Sequence, residues 1–157
     1  MQRRAPSKRL LTVGGILLGA LIGISIGVGA FTFWYGKGFS YMGHDSAACA
    51  NCHIMNEQYD GWLKASHRSV AQCNDCHTPS SFVPKYAVKA ANGFMHSLAF
   101  TTGKFHEPIR IKSFNRAVTE SACRSCHTEI VAQIDSGKAH GQPLSCIECH
   151  RSVGHPH

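Results

Sequence analysis

All eight cysteines of the chain fall into four copies of one five-residue pattern: CANCH at 49–53, CNDCH at 73–77, CRSCH at 123–127 and CIECH at 146–150. Zinc would take tetrahedral sets of thiolates and imidazoles, and so would account for paired cysteines, but it does not require a histidine directly after every pair. A disulfide framework requires neither regularity. Covalent attachment of c-type haem requires both, because two thiols form thioethers to the porphyrin and the adjacent histidine is turned under the iron. The sequence therefore predicts four covalent haems, carried by Cys49 and Cys52, Cys73 and Cys76, Cys123 and Cys126, and Cys146 and Cys149.

Four haems reshape what the composition means. Beyond residue 37 roughly 120 residues carry them, a length at which protein alone buries a marginal core and porphyrin must supply much of the apolar interior. The formal charge of +7 would suggest a nucleic-acid partner. Arg3, Arg4, Lys8 and Arg9 lie outside the haem-bearing part, however, which leaves it about +3, and eight ionised propionates would turn that into about −5. A nucleic-acid reading fails.

Residues 10–36, LLTVGGILLGALIGISIGVGAFTFWYG, contain no charged side chain. They suffice to cross a bilayer core as one helix. The competing reading is a cleaved signal peptide, with GVGA as a weak cleavage site, but the apolar run is longer than such peptides carry. Basic residues before the span and Phe31, Phe33, Trp34 and Tyr35 at its end fit a cytoplasmic N-terminus and an interfacial aromatic belt. The haem-bearing part then lies on the outer face of the inner membrane, where c-type attachment is completed. Gly15, Gly19, Gly23 and Gly27 recur every four residues, either as a contact face for another membrane helix or as the glycine common in such helices.

The first cysteines of the first two motifs are 24 residues apart and those of the last two 23, while 47 residues separate Cys76 from Cys123. This predicts two dihaem modules, about 45–78 and 120–157, with an insertion at 79–119. The organisation is a basic N-terminus (1–9), a transmembrane helix (10–36) and a tetrahaem domain (37–157). The expected fold is mostly α with extensive irregular structure. Residues 56–67 and 120–137 read as helical, and no alternating strand pattern occurs. In the insertion, Val83, Tyr86, Ala90, Phe94 and Leu98 approximate one helical face, either lying on the membrane surface or packed on haems.

Four irons offer eight axial positions, and the chain has 11 histidines. The motif residues His53, His77, His127 and His150 fill four positions in the simplest scheme; His44, His67, His96, His106, His140, His155, His157 and the methionines compete for the rest. The first motif reads on as CANCHIM, so His53 and Met55 are rival ligands of one iron. Motif geometry alone favours His53.

One amino-terminal membrane helix, four CxxCH sites, the extension CANCHIM, and the stretches SHRSVAQCNDCH and CHRSVGH together resemble the NapC/NirT/NrfH family of tetrahaem quinol dehydrogenases, with NrfH-type members nearest. The resemblance implies Met55, not His53, on haem 1, leaving the other face without a protein ligand. It implies His77 with His155 on haem 2, and His150 with His67 on haem 4. His127 would bind haem 3, whose second ligand is either a lysine from the catalytic partner or His140. Relatives also carry a lysine and an aspartate beside the vacant face of haem 1, where the quinol head group binds. Here Lys89 matches and His96 replaces the aspartate, as a proton acceptor or as a further iron ligand. The implied activity is menaquinol oxidation from the membrane quinone pool. Electrons then pass through four haems to a periplasmic multihaem partner, the catalytic subunit of cytochrome c nitrite reductase, in a hetero-oligomer at the inner membrane. Alternatives are an electron-transfer cytochrome without its own quinol site, and a dehydrogenase feeding another reductase such as nitrate reductase.

Overall fold

The computed structural model describes residues 7–136 and 144–155, which divide into two compact units, 1–39 and 40–157. The described residues are helical or irregular and contain no strand.

The first unit is one helix, α1 (Lys8–Tyr35). Ser7 caps it by accepting the Leu10 amide at 3.4 Å. Its length, about 42 Å at 1.5 Å per residue, exceeds the ~30 Å of a bilayer's hydrocarbon core. All its described side chains are exposed. The internal hydroxyls bond inside the helix, Thr12 to the Lys8 carbonyl at 3.0 Å and Ser25 to that of Leu21 at 2.8 Å, as lipid demands of any polar group. The glycine face at 15, 19, 23 and 27 stands in open space. Past the helix, Phe33 and Phe39 pack edge to face at 4.9 Å, and a Cβ on Gly38 would run into the Phe33 ring.

The second unit is assembled from short pieces. 3₁₀ turns at Ser46–Asn51 and His53–Met55 lead into α2 (Asn56–Leu63), followed by α3 (Cys73–His77), α4 (Phe82–Thr102), α5 (Ser113–Cys126), α6 (Thr128–Ser136) and α7 (Cys146–Cys149). The helix expected over 56–67 stops at Leu63. There the bonds tighten to Lys64 N to Gly61 O (3.1 Å) and Ala65 N to Trp62 O (3.0 Å), and the Trp62 indole ties back to the Ala71 carbonyl at 3.1 Å. The helix expected over 120–137 begins earlier, at Ser113, and breaks at His127 (φ −101°, ψ 34°) between α5 and α6. Helix α3 packs on α5, and α5 on α6 and α7, so the second, third and fourth motifs share one cluster.

That cluster has almost no protein core. Ala48 and Val88 are the apolar side chains buried among the described residues, with Ser46 and Thr78 the buried polar ones. A domain this poor in buried apolar area cannot offset its chain entropy alone. On α4 the face predicted from sequence is uncovered: Val83 is 74% and Phe94 67% exposed, while Val88, outside that face, is buried.

Helix α4 ends in a Schellman turn, with Lys104 N to Ala99 O at 3.0 Å and Gly103 N to Phe100 O at 3.4 Å, and Gly103 at φ +67°. A Cβ is disfavoured in that left-handed conformation by about 1 kcal/mol. Gly103→Ala is expected to lower the unfolding free energy of the haem-loaded protein by that amount, read as a lower denaturant midpoint at unchanged slope by circular dichroism.

Candidate haem-binding site

None of the eight cysteines is fully buried, so each can be reached by a porphyrin vinyl group. Three of the motifs share a backbone. Helix α3 carries the second motif whole. In the third and fourth the cysteines sit on one helical turn and the histidine amide returns to the first cysteine: His127 N to Cys123 O at 3.0 Å, His150 N to Cys146 O at 2.8 Å. Both cysteines and the histidine thus come off a single turn.

The first motif is built differently. The chain is extended at Cys52 (φ −89°, ψ 112°), which separates the turn bearing Cys49 from a new turn, His53–Met55, closed by Met55 N to Cys52 O at 2.8 Å. His53 is exposed and Met55 half-buried. The break removes His53 from the position its counterparts hold and puts Met55 at the end of the following turn.

Two pairs of imidazoles approach each other. The rings of His77 and His155 are 6.2 Å apart and 5° from parallel. An imidazole nitrogen sits about 2 Å from a metal and the ring centre roughly 1 Å beyond, so two ligands facing across one metal put their centres about 6 Å apart. The pair fits an iron between its rings. Packing around His77, then the neighbouring His155 and His96, disfavour its protonated form, which is the form that cannot ligate. His67, expected opposite His150, has its ring 6.0 Å from that of His127 at 78°. Its Nδ1 is 3.2 Å from the carbonyl of Val153, just past the fourth motif, so Nε2 is the nitrogen not used in that contact. His67 therefore stands at the junction of the third and fourth motifs. A surface cleft of about 500 Å³ beside it is lined by Cys126, His127, Thr128, Glu129, Ile130 and Gln133, a volume suited to a bound cofactor. His140 and His157 lie outside the described residues.

The two candidate quinol residues both lie on α4 but serve different neighbours. Lys89 Nζ donates to the carbonyls of Tyr41 (2.9 Å) and Gly43 (2.7 Å), and the Tyr86 hydroxyl donates to Met42 O at 3.3 Å. Together they clamp residues 41–43, just ahead of the first motif, onto α4. Burial and then the Lys85 charge lower the Lys89 pKa, with Cys49 acting in the opposite sense. His96 is about 10 Å further along the axis and faces the second motif, where its charge bears on His77. Packing and the Lys112 ammonium hold its pKa below that of an ordinary imidazole. Tyr41, given no role by the sequence, belongs to the same corner: its hydroxyl is 3.8 Å from Cys52 Sγ, and burial together with that sulfur pushes its pKa up to about 12. Only its nearness to CANCH would have marked it.

The sequence profile of the NapC/NirT cytochrome c family, N-terminal region, matches residues 7–157. The chain belongs to that family. The NapC/NirT protein most usefully compared is the cytochrome c-type protein NrfH of Wolinella succinogenes, 34% identical over 89% of this chain and 86% of its own length. The cytochrome c-type protein NapC of Escherichia coli is 30% identical over 97% of this chain and 85% of its own. A chain in the crystal structure of a cytochrome c nitrite reductase NrfHA complex bound to the HQNO inhibitor aligns with TM-score 0.62 and 28% identity, covering 93% of this chain and 90% of that one. As a NapC/NirT member, an NrfH-like c-type cytochrome, this protein binds its haems covalently. When bound, the haems supply one-electron chemistry.

The clamp makes a definite prediction. Lys89→Ala removes two hydrogen bonds from an ammonium, and amide exchange across residues 41–46 is expected to quicken severalfold in the haem-loaded protein, while exchange across α5 stays unchanged.

Proposed function

We propose that this cytochrome oxidises menaquinol at the membrane and delivers electrons to the catalytic subunit of a periplasmic cytochrome c nitrite reductase, as part of a hetero-oligomer. The observation that carries the reading is the backbone break at Cys52. A haem site whose histidine is taken out of register, with a thioether half-buried in the next turn, favours Met55 as the haem 1 ligand and an open opposite face. Thioether ligation also raises a haem potential relative to two imidazoles, which suits an entry point for electrons.

Two residues of α4, Lys89 beside that entry and His96 about 10 Å further along the helix, have separable jobs. Lys89 fixes residues 41–43 beside the first motif and offers a cation to an oxygen-bearing head group. Converting a quinol to a quinone releases two protons with two electrons, and the protons need an acceptor. His96, kept neutral at pH 7 by its lowered pKa, is one. Further along, His77 and His155 hold haem 2, His127 haem 3, and His150 with His67 haem 4. The partner subunit or His140 completes haem 3. The topology proposed with this function is a cytoplasmic N-terminus, one inner-membrane span and a haem domain in the periplasm, supported by the length and apolarity of α1 and by the basic residues that precede it. The crystal structure of an NrfHA complex supports the choice of partner.

One contact favours a second ligation pattern. With its ring 6.0 Å from that of His127, His67 has the spacing of an axial partner on haem 3. His67→Ala separates the two patterns, because the haem that turns high-spin by electron paramagnetic resonance is either the third or the fourth.

Two outcomes are expected for the entry site. Met55→Ala should change the haem 1 spectrum and lower its potential, whereas His53→Ala should leave both near those of the parent; the reverse pattern would return the iron to His53. Quinol oxidation should be constant at neutral pH and fall as pH drops through the His96 pKa, below the ordinary imidazole value of about 6.5, since the neutral ring is the base. His96→Asn should remove that limb of the stopped-flow pH profile.

A further inference from the structure

The two modules are tied internally by the same device, although no residue in it is shared. Ser46 lies three residues before Cys49, and Glu120 lies three residues before Cys123. Ser46 is 1% exposed; its Oγ accepts the backbone amide of Cys73 at 2.9 Å and donates to Gln72 Oε1 at 2.6 Å. Glu120 accepts the backbone amide of Cys146 at 2.9 Å and that of Ile147 at 3.1 Å, and takes the Ser145 hydroxyl on the same carboxylate. Each module therefore joins position −3 of its first motif to positions −1 and 0 of its second. The chemistry is exchanged between them. Module one has a hydroxyl at −3 and an amide carbonyl at −1; module two has a carboxylate at −3 and a hydroxyl at −1.

We propose that this latch sets the spacing of the two haem-attachment turns in each module, making Ser46 and Glu120 positioning residues for electron transfer within the haem pairs. The turns it holds are too short to persist alone: α3 has five residues and α7 four, and their first amides have no partner inside the helix. Buried apolar contacts are too few to substitute for it. In each module the latch also brings the leading cysteines together. The amide that each latch holds belongs to the leading cysteine of the second motif, Cys73 in module one and Cys146 in module two. Because thioethers fix each porphyrin edge to those cysteines, a turn that shifts carries its haem with it. The outer fastenings differ, with Asp75 accepting Gln72 N at 2.8 Å in module one, and Arg116 reaching Ser145 at 2.9 Å and Glu148 at 2.7 Å in module two. The common element is the −3/−1 pair.

The test uses full-length protein in membranes and chemical reduction, so it stands whether or not quinol is the donor. Mass spectrometry counts covalent haems, and a spectroelectrochemical titration with paramagnetic resonance reads the coupling within each pair. Ser46→Ala should alter the haem 1–2 coupling alone and Glu120→Ala the haem 3–4 coupling alone. Each should slow electron transfer within its own pair roughly tenfold or more, as expected for redox groups displaced by about an ångström. Glu120→Ser should behave like Glu120→Ala. The double variant E120S/S145Q, which installs the module-one pair in module two, should restore both coupling and rate. Failure of the double variant to recover, or equal disturbance of both pairs by either single change, overturns the proposal. Should a single variant lose haem, the double variant still decides, since full loading with parental coupling supports the latch and continued loss refutes it.

Discussion

The bond between cysteine sulfur and porphyrin is the constraint on which the rest of the second unit depends. With Ala48 and Val88 as the apolar side chains buried among its described residues, the polypeptide lacks the interior that would order 3₁₀ turns and helices of four or five residues. Their order has to come from covalent and coordinate bonds to a rigid apolar plate, and from polar ties that hold one attachment turn against the next. This inverts the usual relation of protein to cofactor: the haems form the core and the chain is its covering.

That relation explains how the site differs from motif to motif. Where a single turn presents both cysteines and the histidine, thioether and imidazole act on the same porphyrin, as at 73–77, 123–127 and 146–150. Where the turn is split at Cys52, His53 no longer comes off the turn that bears Cys49, and His53 and Met55 share the next one. Under the proposed function, this local change of ψ at one residue is what marks the entry haem off from three relay haems. Helix α4 complements the split, with Lys89 fastening residues 41–43 so that the segment leading into the first motif does not move with it.

Much of this was legible in the sequence because it is written in short-range patterns. Four CxxCH motifs and a charge-free run at 10–36 specified the cofactor and one long apolar helix. Helix α4 was legible too, but its buried side was not. The periodicity selected Val83 and Phe94, which are exposed, because a haem protein presents apolar residues to groups the sequence does not contain. Helix ends were misplaced where the motif histidine interrupts the pattern, at His127, and where Trp62 turns the chain back to Ala71. The −3/−1 latch was invisible for a different reason. Its hydroxyl and carbonyl change places between modules, so no column of identical residues marks it. Likewise, the proximity of His67 to His127 joins residues 60 apart in the chain, and no spacing rule reports it.

The central claim, that electrons enter this cytochrome directly from a membrane quinol, is tested most directly by anaerobic single-turnover reduction. Membranes containing this chain without any partner would be mixed with a menaquinol analogue, and reduced-haem absorbance followed in time. The account predicts rapid reduction that HQNO blocks and Lys89→Ala slows. Haems that stay oxidised with quinol, yet are fully reduced by dithionite, would contradict it and leave a relay that takes electrons only from another protein.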